Sequence, residues 1–323
     1  MPTCSSPFRL PAFALTLSCL LAACGGGGDD TADVITDKAR RAGAASSSGQ
    51  QSAPLPVVSS AAITTNTRSL QLLVPAYFYP LPGSAWDRLA LTAKAMPSVG
   101  ITAIVNPSNG PGKKADAQYA RAIAAFRQAG GKVLGYVSTR YGKGTPSQTT
   151  VRTHIDRYLA FYGRENFSGF FIDEMADSST RLGFYREVYD YIKGLDSNLL
   201  VVGNPGTLPI ADYAKVADTL VTFEGQASAY ASFNPQPGYN WVYDYDNGKQ
   251  AMLVHDATSC PAMQASLSTA ASARSHTGWV YVTDLHYDYA NNIGDPWAAL
   301  PAYWDKMLAS VDAVNKGLAL PGC

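Results

Sequence analysis

Histidine is scarce in this sequence, with four residues in 323, and His255, His276 and His286 are scattered rather than set at a metal-binding or hydrolase spacing. No G-x-S-x-G elbow occurs, which disfavours an esterase. The two-histidine helix motif that a metal-dependent polysaccharide deacetylase would pair with its acids is also missing. Neither sign of charge prevails: 25 basic side chains face 25 acidic ones, so there is no whole-chain basic field of the kind that selects nucleic acid. What remains is a chain that is 46% hydrophobic and long enough to bury a full-sized core. Nothing in it implies an organic cofactor or a metal.

The first two dozen residues stand apart. Arg9 precedes the apolar run LPAFALTLSCLLAAC, too short to span a bilayer comfortably and shaped like a secretory signal. Its end, Leu21-Ala22-Ala23-Cys24, resembles a bacterial lipobox, in which Cys24 would be lipidated and become the new N-terminus; an ordinary signal cleaved nearby is the plainer alternative. Gly25 after the cysteine points, by resemblance to sorted lipoproteins, to the outer membrane. Residues 25–67 are rich in Ala, Ser, Gly and Gln with no hydrophobic period, which predicts a disordered linker. The expected layout is therefore signal over 1–24, linker over 25–67 and one domain over 68–323. Of the five cysteines, Cys260 and Cys323 remain as a candidate disulfide in an oxidising compartment, with two lone buried thiols as the alternative.

From Leu70 onward strand-like runs recur at 70–79, 101–108, 132–139, 167–174, 198–206, 218–225, 250–257 and 279–288. Between most of them the apolar spacing is helical, as in DAQYARAIAAFRQAG, TVRTHIDRYLAFYG and STRLGFYREVYDYIKGL. Eight β units joined by helices predict an α/β chain folded as a single (β/α)8 TIM-type barrel, with degenerate helices after strands five and six. A doubly wound open sheet is the alternative, but no Gly-rich phosphate loop follows the first strand.

In such a barrel, chemistry gathers at the C-terminal strand ends. The fourth run, FSGFFIDE, finishes there in Asp173 and Glu174, and the sixth, VTFEG, carries Glu224. Side-chain alternation puts Asp173 on the face of Gly169 and Phe171, and Glu224 on the face of Thr222, with Val221 and Phe223 turned to the helices. Both strands are even-numbered, so Asp173 and Glu224 would meet in one layer. Two facing carboxylates are what glycoside hydrolysis uses, one protonated and one ionised, and partial burial near Phe171 and Phe223 would push their pKa values apart. Solvated strand-end acids are the plainer reading of either residue alone. Other polar residues fall at the same level: Asn106, Tyr136, Thr139, Asn204, Asp256 and Asp284.

Aromatic residues add to this. Nineteen tyrosines and five tryptophans exceed what a core needs, and Tyr77, Tyr79, Trp86, Tyr141, Tyr239, Trp241, Tyr243 and Tyr245 fall near strand ends or in loops, where sugar rings could stack. The stretch YASFNPQPGYNWVYDYDNG reads equally well as a self-packed surface loop.

The ordered series LLVPAYFYP with Trp86 behind it, IVNPSNGPG, VLGYVSTRYG, FSGFFIDEM, VVGNPG, VTFEG, YVTDL and LPAYW resembles the spherulation-specific family 4 (spherulin 4) proteins, assigned to glycoside hydrolase family 135. The resemblance runs from about Leu70 to Trp304. It implies an endo-acting hydrolase of α-1,4-linked N-acetylgalactosamine runs, of the fungal galactosaminogalactan or bacterial Pel type. It puts Asp173, Glu174 and Glu224 at the acidic catalytic positions: Asp173 as nucleophile or charge stabiliser, Glu224 as general acid/base and Glu174 as a supporting acid. Tyr77, Tyr79, Asn106, Tyr136, Tyr141, Asn204 and Asp284, chosen for their place at the barrel mouth, are the candidate sugar-binding residues. The expected partners are a polysaccharide substrate and a membrane reached through the lipid on Cys24, with no nucleic acid and a monomeric domain. The competing reading, from another class, is a non-catalytic polysaccharide-binding lipoprotein or matrix adhesin on the same barrel.

Overall fold

The eight apolar runs form eight parallel strands, each buried almost throughout, as strands covered on both faces must be. In the computed structural model, which describes residues 68–323, they are β1 (Gln71–Ala76), β2 (Ile101–Val105), β3 (Lys132–Ser138), β4 (Gly169–Asp173), β5 (Leu200–Gly203), β6 (Thr219–Gln226), β7 (Gln250–His255) and β8 (Trp279–Val282). Each pairs with the next, and β8 closes on β1 through Gln71 and Leu72, giving a closed barrel. The expected signal segment, Cys24 and linker lie outside the described residues.

Helices α1 (Ala85–Ala95), α2 (Ala117–Gln128), α3 (Gln148–Tyr162) and α4 (Leu182–Leu195) follow the first four strands. Ser84, Asp116 and Ser147 cap the first three, each side chain accepting from a backbone N–H of the first turn that has no partner within the helix. After β5 only a 3-10 turn (Ala211–Lys215) forms, where Pro205 and Pro209 interrupt the chain, and after β6 the four-residue α5 (Ala227–Tyr230) and two 3-10 turns (Asn240–Asp244 and Asn247–Lys249). The degenerate helices fall where the sequence places them. Helix α6 (Cys260–Ala270), capped by Ser259, follows β7, and α7 (Trp304–Asn315) ends the barrel. Cys260 at the start of α6 is bonded to Cys323, with Cα atoms 5.7 Å apart.

Two details differ from the alternation rule. Residue 222 is an extra residue in β6: Val221 pairs with Ala251 and Phe223 with Met252, a β-bulge. Past the bulge Glu224 pairs with Leu253, so Glu224 shares its face with Val221 and not with Thr222, whose hydroxyl instead bonds Gln250 at 2.9 Å. Phe223 packs on Tyr230 and Phe233 and does not wall the acids. The second difference is at β8, which stops at Val282 because Ala257 N–H takes the Thr283 carbonyl and Asp256 N–H that of Leu285. Residues 284–288 therefore do not continue that strand. A short hairpin follows, β9 (Tyr287–Asp288) against β10 (Ile293–Gly294).

Candidate active site

Tyr136, Asp173, Asn204 and Glu224 meet at the C-terminal ends of β3, β4, β5 and β6. The Tyr136 hydroxyl donates to Asp173 Oδ2 at 2.6 Å. The Asn204 amide nitrogen donates to Asp173 Oδ1 and to Glu224 Oε2, both at 2.7 Å. Which end of that amide is nitrogen follows from its other bond: Oδ1 accepts the Gly206 N–H at 2.9 Å. Gly206 makes this turn with φ of +66°, a region glycine enters without strain. One amide thus bridges two carboxylates, and the oxygens it joins are no more than about 5.4 Å apart, twice that bond length.

Adjacent residues on a strand point to opposite faces, yet Asp173 and Glu174 both serve the cleft. Glu174 leaves the strand in the left-handed region, φ 52°, which costs a non-glycine residue on the order of 1 kcal/mol. Its carbonyl is caught by Tyr141 N–H at 2.6 Å and by the Thr139 hydroxyl at 3.0 Å. The turn brings its carboxylate back to the hydroxyl of Ser138, the residue in register with Asp173. Thr139 also bonds Tyr185, and Tyr185 takes the Ala176 N–H, so this corner is tied on every side.

The two principal acids differ electrostatically. Glu224 is pushed up to about 7, first by burial and then by the Asp173 charge, with Asn204 and the nearby Trp297 indole pulling the other way. Asp173 is also raised by burial, but Tyr136, the Glu174 backbone and Asn204 all oppose the rise. More donors oppose the rise at Asp173 than at Glu224, which favours placing the pair's charge on Asp173.

Of the seven predicted binding residues the structure brings four to these acids. Tyr136 and Asn204 touch them directly. Tyr77 stands edge-on to Tyr136 with centroids 5.6 Å apart, its phenol raised by burial and then by Asp173. Tyr141, 47% exposed, is raised by burial and then by Glu174, Asp173 and Glu224. The other three are drawn elsewhere. Tyr79 donates to Asp116, the cap of α2, at 2.9 Å; Asn106 accepts Gly110 N–H at 2.8 Å within its own loop; Asp284 accepts Ala302 N–H at 3.2 Å ahead of α7. Each supports a loop.

The aromatic count is also redistributed. Trp86 is core, buried with its indole on the Phe78 carbonyl. The 230–248 stretch packs in part on itself, Tyr230 on Phe233 and Trp241 on Tyr245, and is tied to its surroundings where Trp241 bonds the Pro209 carbonyl, Tyr243 the Arg274 carbonyl, and Asn247 the carbonyls of Arg68 and Thr277. Sequence reasoning passed over Ser138, Tyr185, Tyr289 and Trp297. The last two sit in a stretch with neither helical nor strand period. Among the described residues no group of three or more His, Cys, Asp or Glu side chains is arranged to hold a metal ion.

The whole barrel is matched by known proteins. Residues 71–311 match the spherulation-specific family 4. Spherulin-4 of Physarum polycephalum is 34% identical over 240 residues, 72% of this chain and 68% of that protein. The crystal structure of Aspergillus clavatus Sph3 in complex with GalNAc superposes with a TM-score of 0.60 at 27% identity, covering 76% of this chain and 98% of that one. With the match extending over nearly every strand and helix that builds the acid cluster, this chain belongs to spherulation-specific family 4.

Proposed function

We propose that this protein is an endo-acting glycoside hydrolase of α-1,4-linked N-acetylgalactosamine or galactosamine exopolysaccharide. The observation that carries the reading is the Asn204 amide held between two partly buried carboxylates of unequal basicity. Glu224, with its pKa pushed to about 7, keeps the proton that the leaving glycosidic oxygen needs. Asp173, ionised first and steadied by the Tyr136 phenol, faces the developing oxocarbenium centre. The bridged oxygens lie within about 5.4 Å of each other, which supports the close carboxyl pair of retaining enzymes, about 5–5.5 Å, over the wider pair of inverting ones, about 6.5–9.5 Å. Asp173 is then the nucleophile, and Glu224 returns as the base that activates water in the second step. Glu174, hinged onto Ser138, is placed to hold a sugar hydroxyl or amine. The GalNAc bound in the Aspergillus clavatus relative supports an N-acetylhexosamine as the unit recognised.

Incubation with partially deacetylated α-1,4-galactosaminan, followed by mass spectrometry, tests the reading. Released oligomers should be lost with Glu224→Gln, with turnover down about 10²–10⁴-fold, and proton NMR should show the α-anomer first. Polymer binding without release of any oligomer would instead make the protein a polysaccharide-binding module. The N-terminal stretch fits the same proposal as a tether: Cys24 carries lipid and residues 25–67 give the barrel reach. Cys24→Ser should move the protein from the membrane fraction to the soluble one; unchanged fractionation would sink the anchor.

A further inference from the structure

On the Glu224 side of the cleft a second polar cluster does something the acids do not require. Asp256 follows the last residue of β7 with φ of 59°. It sets one carboxylate oxygen 2.5 Å from His255 Nδ1 and the other against His286 Nδ1. His255 is 1% exposed, and its Nε2 lies 2.7 Å from the hydroxyl of Tyr289, at the tip of the β9–β10 hairpin. Burial lowers the His255 pKa, so the ring is neutral: Nδ1–H donates to Asp256 and the bare Nε2 accepts the phenol hydrogen.

Burying a histidine and a carboxylate is costly, and such groups normally repay the cost by securing something that packs. Here the chain of bonds ends on a ring that is still 58% exposed, packed against His255 at 5.5 Å and edge-on to Tyr287 at 4.9 Å. Trp297 lies below, 6.2 Å from the His255 ring, and borders Glu224. Tyr289 is itself within the field of Glu224. A rigidly held, uncovered aromatic face beside the proton donor suits the apolar face of a hexosamine ring.

We propose that Tyr289 binds the sugar on the leaving-group side of the scissile bond, and that His255 and Asp256 are positioning residues that hold its hairpin in place. This rests on Glu224 being the proton donor. Because Glu224 protonates the leaving oxygen, the departing sugar lies on its side, where Tyr289 stands.

The test uses the full chain and oligomers of α-1,4-linked GalNAc, with calorimetric affinities in the Glu224→Gln protein and kcat and KM in the active one. Tyr289→Ala should weaken binding about tenfold, a stacking-sized effect, and raise KM more than it lowers kcat. Tyr289→Phe, which keeps the ring and loses the bond to His255, should fall between. His255→Gln should match Tyr289→Phe and add nothing in combination with it; additive losses would overturn the positioning role. Should His255→Gln not fold, the two exposed Tyr289 variants decide. If the parent cleaves polymer and Tyr289→Ala binds as the parent does, the proposal falls and the hydrolase stands. A parent that binds without cleaving, and loses binding with Tyr289→Ala, keeps the sugar contact but overturns the hydrolase. A parent that neither binds nor cleaves overturns both.

Discussion

Asp173 and Glu224 are the same functional group at equivalent ends of two barrel strands, and the surrounding residues make them opposites. Asp173 accepts from a phenol and an amide; Glu224 shares that amide and otherwise has only Trp297 beside it. Two carboxylates so close cannot both ionise easily, so the charge is favoured on the one with more hydrogen-bond donors. Under the proposed mechanism, acid and nucleophile would thus differ by donor count rather than by residue type.

That contrast can be broken. The pH profile of kcat/KM should fall on its alkaline side near pH 7, as Glu224 loses its proton; a rate that keeps rising to pH 9 would refute the assignment. Tyr136→Phe removes a donor that lowers Asp173, so the Asp173 pKa rises. The acid limb should then move to higher pH and the bell narrow from that side, with kcat/KM near pH 5 reduced about tenfold. An unmoved acid limb would show that Asp173 is not the group that must ionise.

A smaller effect appears in stability. Glu224 is raised from 4.5 to about 7 in the folded protein, so the fold favours its protonated form, and the stability this contributes is lost as pH rises from about 4.5 through 7. Glu224→Gln should therefore stabilise the protein by about 1 kcal/mol at pH 8 and change little at pH 4. Denaturant midpoints at the two pH values measure it, and equal shifts at both would show that the carboxyl is not strained by ionisation.

The barrel was legible because each strand is a short apolar run and each break carries turn residues. That signal is local, so the eight strands and the shortened connections after β5 and β6 fall where the sequence places them. The cleft was only half legible. Asp173 and Glu224 do face each other, but the alternation that suggested it fails at the Thr222 bulge, where one extra residue resets the face of everything after it. Tyr79, Asn106 and Asp284 stand at the expected level and turn to loop backbone or a helix cap, since a polar side chain near a strand end serves whichever unpaired group is closest. Tyr289 and Trp297 were invisible for the opposite reason: their stretch has no period.

The sequence by itself determined the closed parallel barrel and the acids at its C-terminal end, and left Cys260 and Cys323 as a candidate pair, because hydrophobic period and cysteine count are properties of the chain in one dimension. Only the tertiary structure decided that Asn204 would bridge two carboxylates, that a left-handed residue would bring Glu174 onto the same face as Asp173, and that one aromatic loop would be tied down by backbone carbonyls elsewhere in the chain while another rose beside Glu224. Those outcomes depend on which unpaired donors and acceptors folding brings within about 3 Å of one another, between residues up to dozens of positions apart in the chain.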